Sequence, residues 1–245
     1  MSKCPSFRYM GGKARLRKWL ISHFPQEGNK YIEPFLGLGN VFYLSKQILK
    51  FKEWHLSDIN IKFFNALRNA NFDDLPNRVS AEEFVIFKEK SKIEMEYIAH
   101  LIEPKITFAG KGYTAGFDRG HPSHPPYNGV THRILCENAR FLIQDVLIIK
   151  REWFEIDYSL FDDNDFVYFD PPYYNTKASY SNIKHENLVE VINKLKCKWA
   201  ISGYDSELYK ILKYKNKYEK TRNSEIKSSN TGHFEAINEI LWTNY

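Results

Sequence analysis

Apolar and polar positions alternate in short blocks along the first seventy residues. Lys30 to Phe35 reads as a strand that runs into Gly37-Leu38-Gly39, and Asn40 to Leu49 reads as a helix. Trp54 to Ser57 is a second strand, closed by Asp58, and Ile61 to Asn69 a second helix. Strand–helix–strand alternation predicts a parallel sheet covered by helices. The pattern then changes. Ala81 to Ile102 is helical and of mixed charge, and Glu103 to Thr131 is rich in Gly, Pro and His. A loop of that length inside a domain is usually functional or mobile. Residues 70–133 therefore read as an insertion.

Beyond it the α/β pattern resumes. Glu137 to Gln144 is helical, and Val146 to Ile149 is a strand ending near Glu152-Trp153. Phe166 to Phe169 is a short apolar strand that stops at Asp170-Pro171-Pro172-Tyr173. Glu186 to Leu195 predicts a helix, Trp199 to Ser202 a strand and Ser206 to Leu212 a helix. Tyr218 to Thr221 and Ile237 to Trp242 form a final strand pair.

Composition narrows this picture. A chain of 245 residues with 43% hydrophobic and 27% charged positions builds a packed core rather than a disordered tail. Cys4, Cys136 and Cys197 are far apart, so they form neither a disulfide framework nor a zinc site, and a reducing cytoplasm is the expected setting. There is no apolar run of membrane-spanning length and no apolar signal core. The net charge is only +5, but its placement is uneven. Residues 3–18 hold Lys3, Arg8, Lys13, Arg15, Arg17 and Lys18 without an acid, and residues 184–227 hold eleven Lys/Arg against six Asp/Glu. Such stretches are either solvated faces or the walls of a phosphate-binding cleft.

Two places carry chemistry. Gly37-Leu38-Gly39 lies between a strand and a helix, where glycines allow a tight turn and close approach of a ligand. An ordinary turn needs the same residues. Asp58 ends the next strand, nineteen residues after Gly39, where a carboxylate can accept hydrogen bonds from both ribose hydroxyls. Phe42 stands where a dinucleotide site would need its third glycine, which disfavours a pyrophosphate. A nucleoside cofactor without phosphates fits better, and S-adenosylmethionine (SAM) is such a cofactor. The second place is Asp170-Pro171-Pro172-Tyr173. Its prolines make a rigid projection at the sheet edge. The Asp170 carboxylate and neighbouring carbonyls are acceptors and Tyr173 offers a flat face, a set suited to a planar amino group such as that of adenine.

These residues resemble the class-alpha, Dam-like DNA adenine-N6 methyltransferases over nearly the whole length. Tyr9-Met10-Gly11-Gly12-Lys13 is similar to that family's aromatic–Gly–Gly–Lys segment, and Glu33-Pro34-Phe35-Leu36-Gly37-Leu38-Gly39 to its SAM loop. Asp58-Ile59-Asn60 resembles its ribose-binding acid and Asp170-Pro171-Pro172-Tyr173 its catalytic motif, in the order that defines the alpha class. Ser228-Ser229-Asn230 and Asn238-Glu239-Ile240-Leu241 resemble its backbone-contacting loop and last strand.

The resemblance implies an α/β fold, a Rossmann-like SAM-dependent methyltransferase sheet with helices on both faces and an inserted target-recognition domain. Residues 1–69 and 134–245 would be the catalytic domain and 70–133 the insertion. Asp170, Pro171, Pro172 and Tyr173 would be catalytic. Tyr9, Lys13, Glu33, Phe35, Gly37, Gly39, Asp58, Glu152 and Trp153 would serve the cofactor, Glu152 standing where the family more often has Asp. Arg119 would read a base, Ser228, Ser229 and Asn230 would bind phosphate, and Lys177 and Tyr180 would close over an extruded adenine.

Double-stranded DNA is the implied substrate and S-adenosylhomocysteine the product. No metal is expected, because His121 and His124 have no converging ligands. A monomer is expected, and the setting stays open: a cognate restriction endonuclease as partner, a phage origin and an orphan regulator would all look alike in sequence. Cytosine N4 and RNA adenine are the alternative acceptors. Tyr9, Trp153 and Tyr173 are the rings expected to face a nucleobase.

Overall fold

The computed structural model describes residues 4–9, 11–120, 126–174, 183–227 and 234–245. In chain order the regular elements are α1 (Arg17–Ser22), β1 (Glu27–Glu33), α2 (Asn40–Ile48), β2 (Lys50–Asp58), α3 (Lys62–Asn69), α4 (Ala81–Lys90), α5 (Tyr97–Ile106), α6 (Gly129–Leu142), β3 (Leu147–Lys150), β4 (Phe166–Phe169), α7 (His185–Lys194), β5 (Lys198–Gly203), β6 (Asn216–Lys227) and β7 (Phe234–Thr243). The strands form a seven-stranded sheet in the order β3-β2-β1-β4-β5-β7-β6. The fold is therefore mixed α/β, as expected. The chain divides into two compact units. One holds Met1–Gln26, Leu36–Lys50 and Leu56–Lys150; the other holds Glu27–Phe35, Phe51–His55 and Arg151–Tyr245.

The second unit is built on β4, whose four residues are all buried. A strand covered on both faces reads as an unbroken apolar run, which is why Phe166–Phe169 is bounded alike in sequence and structure. It pairs in parallel with β1 (Tyr31 opposite Phe166) and with β5 (Val167 opposite Trp199). β7 adds antiparallel to β5 with Ile201 opposite Trp242, and β6 pairs antiparallel with β7 at the margin. Ile32, Val167, Phe169, Leu188, Ile192, Trp199 and Trp242 belong to its core. Asp165, buried just before β4, accepts the Lys30 backbone N–H at 3.0 Å and the Asp162 N–H at 3.1 Å. That fixes the entry into the strand.

β6 and β7 are much longer than the four- and six-residue strands expected. β6 carries Lys217, Glu219, Lys220 and Arg222, so it lacks an apolar signal, and charge on an edge strand discourages pairing with other chains. The helix expected over Ser206 to Leu212 is instead a 3-10 turn, Glu207–Ile211, started by the Ser206 side chain.

The first unit is mostly helical, and it also holds β3 and the end of β2. α3 packs against α5 and α6, around Phe63, Phe64, Leu67, Leu101, Ile102 and Ala139. Arg140 of α6 lies over the Phe72 ring and donates to the Leu67 and Ala70 carbonyls, closing the C-terminal end of α3. The single helix expected over Ala81 to Ile102 is two helices, α4 and α5, with a turn at 91–96. Ser80 and Glu83 form a capping box on α4. α6 starts eight residues before the expected Glu137. The Asn128 side chain caps it by accepting the Thr131 N–H. Gly129 is required there, because a Cβ would meet the Pro76 carbonyl oxygen at 2.1 Å. The Gly- and Pro-rich stretch before it is partly ordered by 3-10 turns at Phe108–Gly110 and Tyr113–Ala115 and by a bridge between Thr107 and Phe117.

Candidate active site

In the first unit the turn between β1 and α2 is shaped by backbone conformation. Gly37 has φ +54° and Gly39 φ +74°, both in the left-handed region that favours glycine. Gly39 is also the N-cap of α2, and a Cβ there would press within 3.3 Å of the Phe64 and Tyr43 rings. Asp58, at the end of β2, reaches back across this turn. Its Oδ2 accepts the Gly37 N–H at 2.8 Å and its Oδ1 the Asn60 N–H at 3.0 Å. The sequence paired Asp58 with these glycines by spacing alone, and the structure joins them directly.

The N-terminal segment lies on the same turn. The Tyr9 ring stands 3.4 Å from where a Gly37 Cβ would be, and the Tyr9 carbonyl accepts the Gly12 N–H at 2.9 Å. Asn40, the first residue of α2, accepts the Phe7 N–H at 3.0 Å and donates to the Phe7 carbonyl at 2.8 Å. Lys13 is 4% exposed and its Nζ donates to the Gly11 carbonyl at 2.8 Å. The basic stretch 3–18 is thus not one solvated face. Arg8 pairs with Asp118 at 2.6 Å, and Arg17 donates to the Pro5 carbonyl. Arg15 and Lys18 stay exposed.

In the second unit the catalytic candidate follows β4. Asp170 is half-buried, and its Oδ1 accepts the Ser202 hydroxyl at 2.9 Å. Ser202 Oγ also lies 2.9 Å from the Tyr168 hydroxyl, so residues of β4 and β5 orient the carboxylate. Tyr173 donates its hydroxyl to Oε2 of Glu239 at 2.6 Å, and Tyr204 meets its ring edge-on at a 4.4 Å centroid distance. Glu239 is buried on β7. Burial, with the Asp170 and Glu239 carboxylates nearby, holds the Tyr173 phenol well above its ordinary pKa, so it stays a donor. Behind the prolines, His185 lies 3.0 Å from the Tyr209 hydroxyl. Burial lowers the His185 pKa, opposed by Glu186 and the Pro172 carbonyl.

Glu33 is buried at the end of β1 and accepts the Tyr31 hydroxyl at 2.8 Å. Phe35 is half-buried, with its ring centroid 6.4 Å from that of Trp153. Trp153 is 5% exposed and belongs to the core. Glu152 begins a 3-10 turn, and its backbone N–H donates to the Glu155 carboxylate at 2.9 Å.

Sequence reasoning assigned no role to Ser202, Tyr204, His185 or Glu239, although Glu239 lay in a quoted motif. Their signal is strand pairing over long sequence separations, which no local pattern carries. Arg119 is exposed. Met10, His121, His124, Lys177, Tyr180, Ser228, Ser229 and Asn230 lie outside the described residues. Among the described residues no group of three or more His, Cys, Asp or Glu is placed to hold a metal ion. No helix among them is long and apolar enough to cross a membrane.

Residues 9–103 match the family described as D12 class N6 adenine-specific DNA methyltransferase. The type II methyltransferase M.MjaIII of Methanocaldococcus jannaschii is 29% identical over 201 residues, covering 69% of this chain and 68% of that protein. M1.LlaDCHI of Lactococcus lactis, also a type II methyltransferase, is 25% identical over 98% of this chain and 95% of its own length. Among solved structures, an rRNA methylase from Streptococcus thermophilus superposes over 94% of both chains with a TM-score of 0.43 at 8% identity. The family match and the type II relatives make this chain a methyltransferase and support methylation of adenine in DNA.

Proposed function

We propose that this protein is a SAM-dependent, site-specific DNA adenine-N6 methyltransferase of the alpha class. The observation that carries the reading is the end of β4. There an oriented carboxylate, Asp170, stands three residues before an aromatic ring, Tyr173, held by its hydroxyl. An acceptor beside a flat ring is what a planar amino group requires.

The residues present fit SAM. A glycine turn in the left-handed region, braced by a strand-end carboxylate, offers close backbone approach and a ribose acceptor but no phosphate cradle. Gly37, Gly39 and Asp58 would hold the nucleoside. Tyr9, Lys13, Glu33, Phe35, Glu152 and Trp153 complete the proposed set. When bound, SAM supplies an electrophilic methyl group.

The chain's own residues prepare the acceptor. Adenine inside a duplex is out of reach, and extruding it costs a few kcal/mol. Stacking on Tyr173 offsets about 1–3 kcal/mol of that. Asp170 and the Pro171 carbonyl accept hydrogen bonds from the two N6 hydrogens, which draws the nitrogen toward tetrahedral geometry and frees its lone pair. Pro171 and Pro172 have no N–H, so neither contributes a competing backbone donor at this point. Alignment and placed acceptors, rather than a strong base, lower the barrier.

Residues 70–133 are the proposed target-recognition insertion, with Arg119 reading a base. Lys177 and Tyr180 close over the adenine, and Ser228, Ser229 and Asn230 bind phosphate. The protein acts as a cytoplasmic monomer, in a system that includes a restriction endonuclease. The test is transfer of labelled methyl from SAM to duplex DNA, single-stranded DNA and RNA, followed by nucleoside analysis. N6-methyldeoxyadenosine from duplex DNA is the expected product. N4-methylcytosine, or label only in RNA, would overturn the reading.

A further inference from the structure

The first unit contains a continuous strap between the 107–118 loop and the cofactor-binding turn. Arg8 is its hinge point. The Nη2 of Arg8 lies 2.6 Å from Oδ2 of Asp118 and donates to the carbonyls of Thr107 at 2.9 Å and Lys105 at 3.3 Å. The Asp118 side chain is 6% exposed, so its charge is held away from solvent, with the Arg8 guanidinium at Oδ2 and the Gly120 N–H donating to Oδ1 at 2.8 Å. The loop also grips the backbone of Arg8. Gly110 has φ +66°, and a Cβ there would meet the Arg8 carbonyl oxygen at 2.5 Å and the Tyr9 nitrogen at 3.1 Å.

On the far side the contacts run into the turn. Phe7 is fixed to Asn40 by two hydrogen bonds, and Tyr9 lies on Gly37, whose N–H is held by Asp58. The base of the loop is closed by Phe108 N–H to the Gly116 carbonyl at 2.9 Å and Asp118 N–H to the Ile106 carbonyl at 2.8 Å. Its outer residues Phe108, Thr114, Gly116 and, just beyond, Arg119 are exposed. The loop therefore offers its tip outward while its base is joined through Arg8 to the segment that covers Gly37.

We propose that Arg8 is a positioning residue that couples these two places. DNA held at the 107–118 loop and cofactor held at the Gly37 turn each strengthen binding of the other, because both bear on the same strap. This rests on the methyltransferase reading above and adds a mechanism of cooperation to it. A ligand that holds the strap at one end restricts motion that the ligand at the other end would otherwise have to restrict. Linkage makes the effect reciprocal.

The test uses the full chain and S-adenosylhomocysteine, which binds without turnover. Its Kd is measured by calorimetry alone and with a saturating duplex bearing the sequence that the protein methylates. In the wild type the duplex should tighten binding about fivefold or more. In Asp118→Asn, which keeps an acceptor but removes the charge, the factor should fall below about twofold, as it should in Arg8→Lys, which keeps the charge but loses the planar guanidinium that sets Nη2 among its three acceptors. The double variant should lose no more than either single one. Affinity for S-adenosylhomocysteine without DNA should stay within about twofold of wild type, a readout that general loosening of the fold would not spare.

Full wild-type coupling in both variants would overturn the proposal. So would an uncoupled wild type, a parallel loss of affinity without DNA, or collapse of the fold in both variants. A wild type that methylates no DNA at all overturns the functional reading instead. A wild type that methylates DNA without coupling leaves that reading intact and removes only this inference.

Discussion

The Gly37–Gly39 turn and the Asp170–Tyr173 segment both hold polar groups ready for a ligand, but with different materials. The turn is made of backbone. Two glycines with positive φ bend it, and its main external brace is the Asp58 carboxylate on a main-chain N–H. The end of β4 is held by side chains from other strands: Ser202 of β5 on Asp170, and Glu239 of β7 on Tyr173. A backbone device tolerates few residue types and is visible locally. A side-chain device depends on partners that only the sheet brings close. The two should also fail differently. Damage to the turn should appear in cofactor affinity, and damage at β4 in the chemical step.

The sharpest break of that contrast is Asp170→Ala. Methyl transfer should fall about 10³-fold, the scale of losing one placed charge-stabilising group. Cofactor affinity by calorimetry should stay near wild type, since the turn is made of other residues. Equal losses in both measurements would erase the distinction. Asp58→Ala should do the reverse. Losing a charged acceptor corresponds to about 1.5–3 kcal/mol, or about 10–100-fold in SAM Kd, with turnover at saturating SAM largely kept. Unchanged affinity would show that the brace has no part in holding the cofactor.

Tyr173→Phe is a finer cut. It keeps the ring and removes only the 2.6 Å bond to Glu239. If that bond sets the ring's orientation, kcat should drop about tenfold, near the value of one hydrogen bond to a charged group, while Kd for SAM holds. Wild-type kcat would mean that edge-on packing by Tyr204 orients the ring unaided.

The same contrast explains what could be read from the sequence. Gly37, Gly39, Asp58 and Asp170–Tyr173 were legible because a left-handed turn, a strand-end acid and a Pro-Pro stop are local constraints. Phe166–Phe169 was legible because burial on both faces admits only apolar residues. The start of α6 was not, since Asn128 and Gly129 continue a Gly- and Pro-rich stretch, and their capping role needs Pro76 alongside. β6 was underestimated because a charged edge strand is defined by its partner β7 rather than by its own pattern. Ser202 and Glu239 sit 32 and 66 residues from the groups they hold, so nothing in a local window announces them.

The smallest effect expected separates the two regions by acidity. His132 of α6 is 1% exposed beneath the N-terminal segment, with its ring edge-on to Phe7 at 6.1 Å and to Tyr127 at 5.5 Å. Its Nε2 lies 2.9 Å from the Leu101 carbonyl and 3.6 Å from the Cys136 sulfur. Burial lowers its pKa to about 4, with the Leu101 carbonyl opposing and the Lys105 charge adding to the shift. The neutral ring therefore stabilises the fold fully above about pH 6.5, and that stability is lost as pH falls toward 4. Between pH 7.5 and 6.0 the loss from this group should be about 0.8 kcal/mol in urea unfolding. His132→Gln keeps a donor for Leu101 but cannot titrate, so it should flatten the pH slope by that amount even if it is less stable at pH 7.5. S-adenosylhomocysteine affinity should follow the same profile, because Phe7, packed on this ring, is tied to Asn40 beside the glycine turn. An unchanged slope in His132→Gln would place the acid sensitivity elsewhere, with His100 of α5, also buried and lowered in pKa by that burial, as the next imidazole to remove.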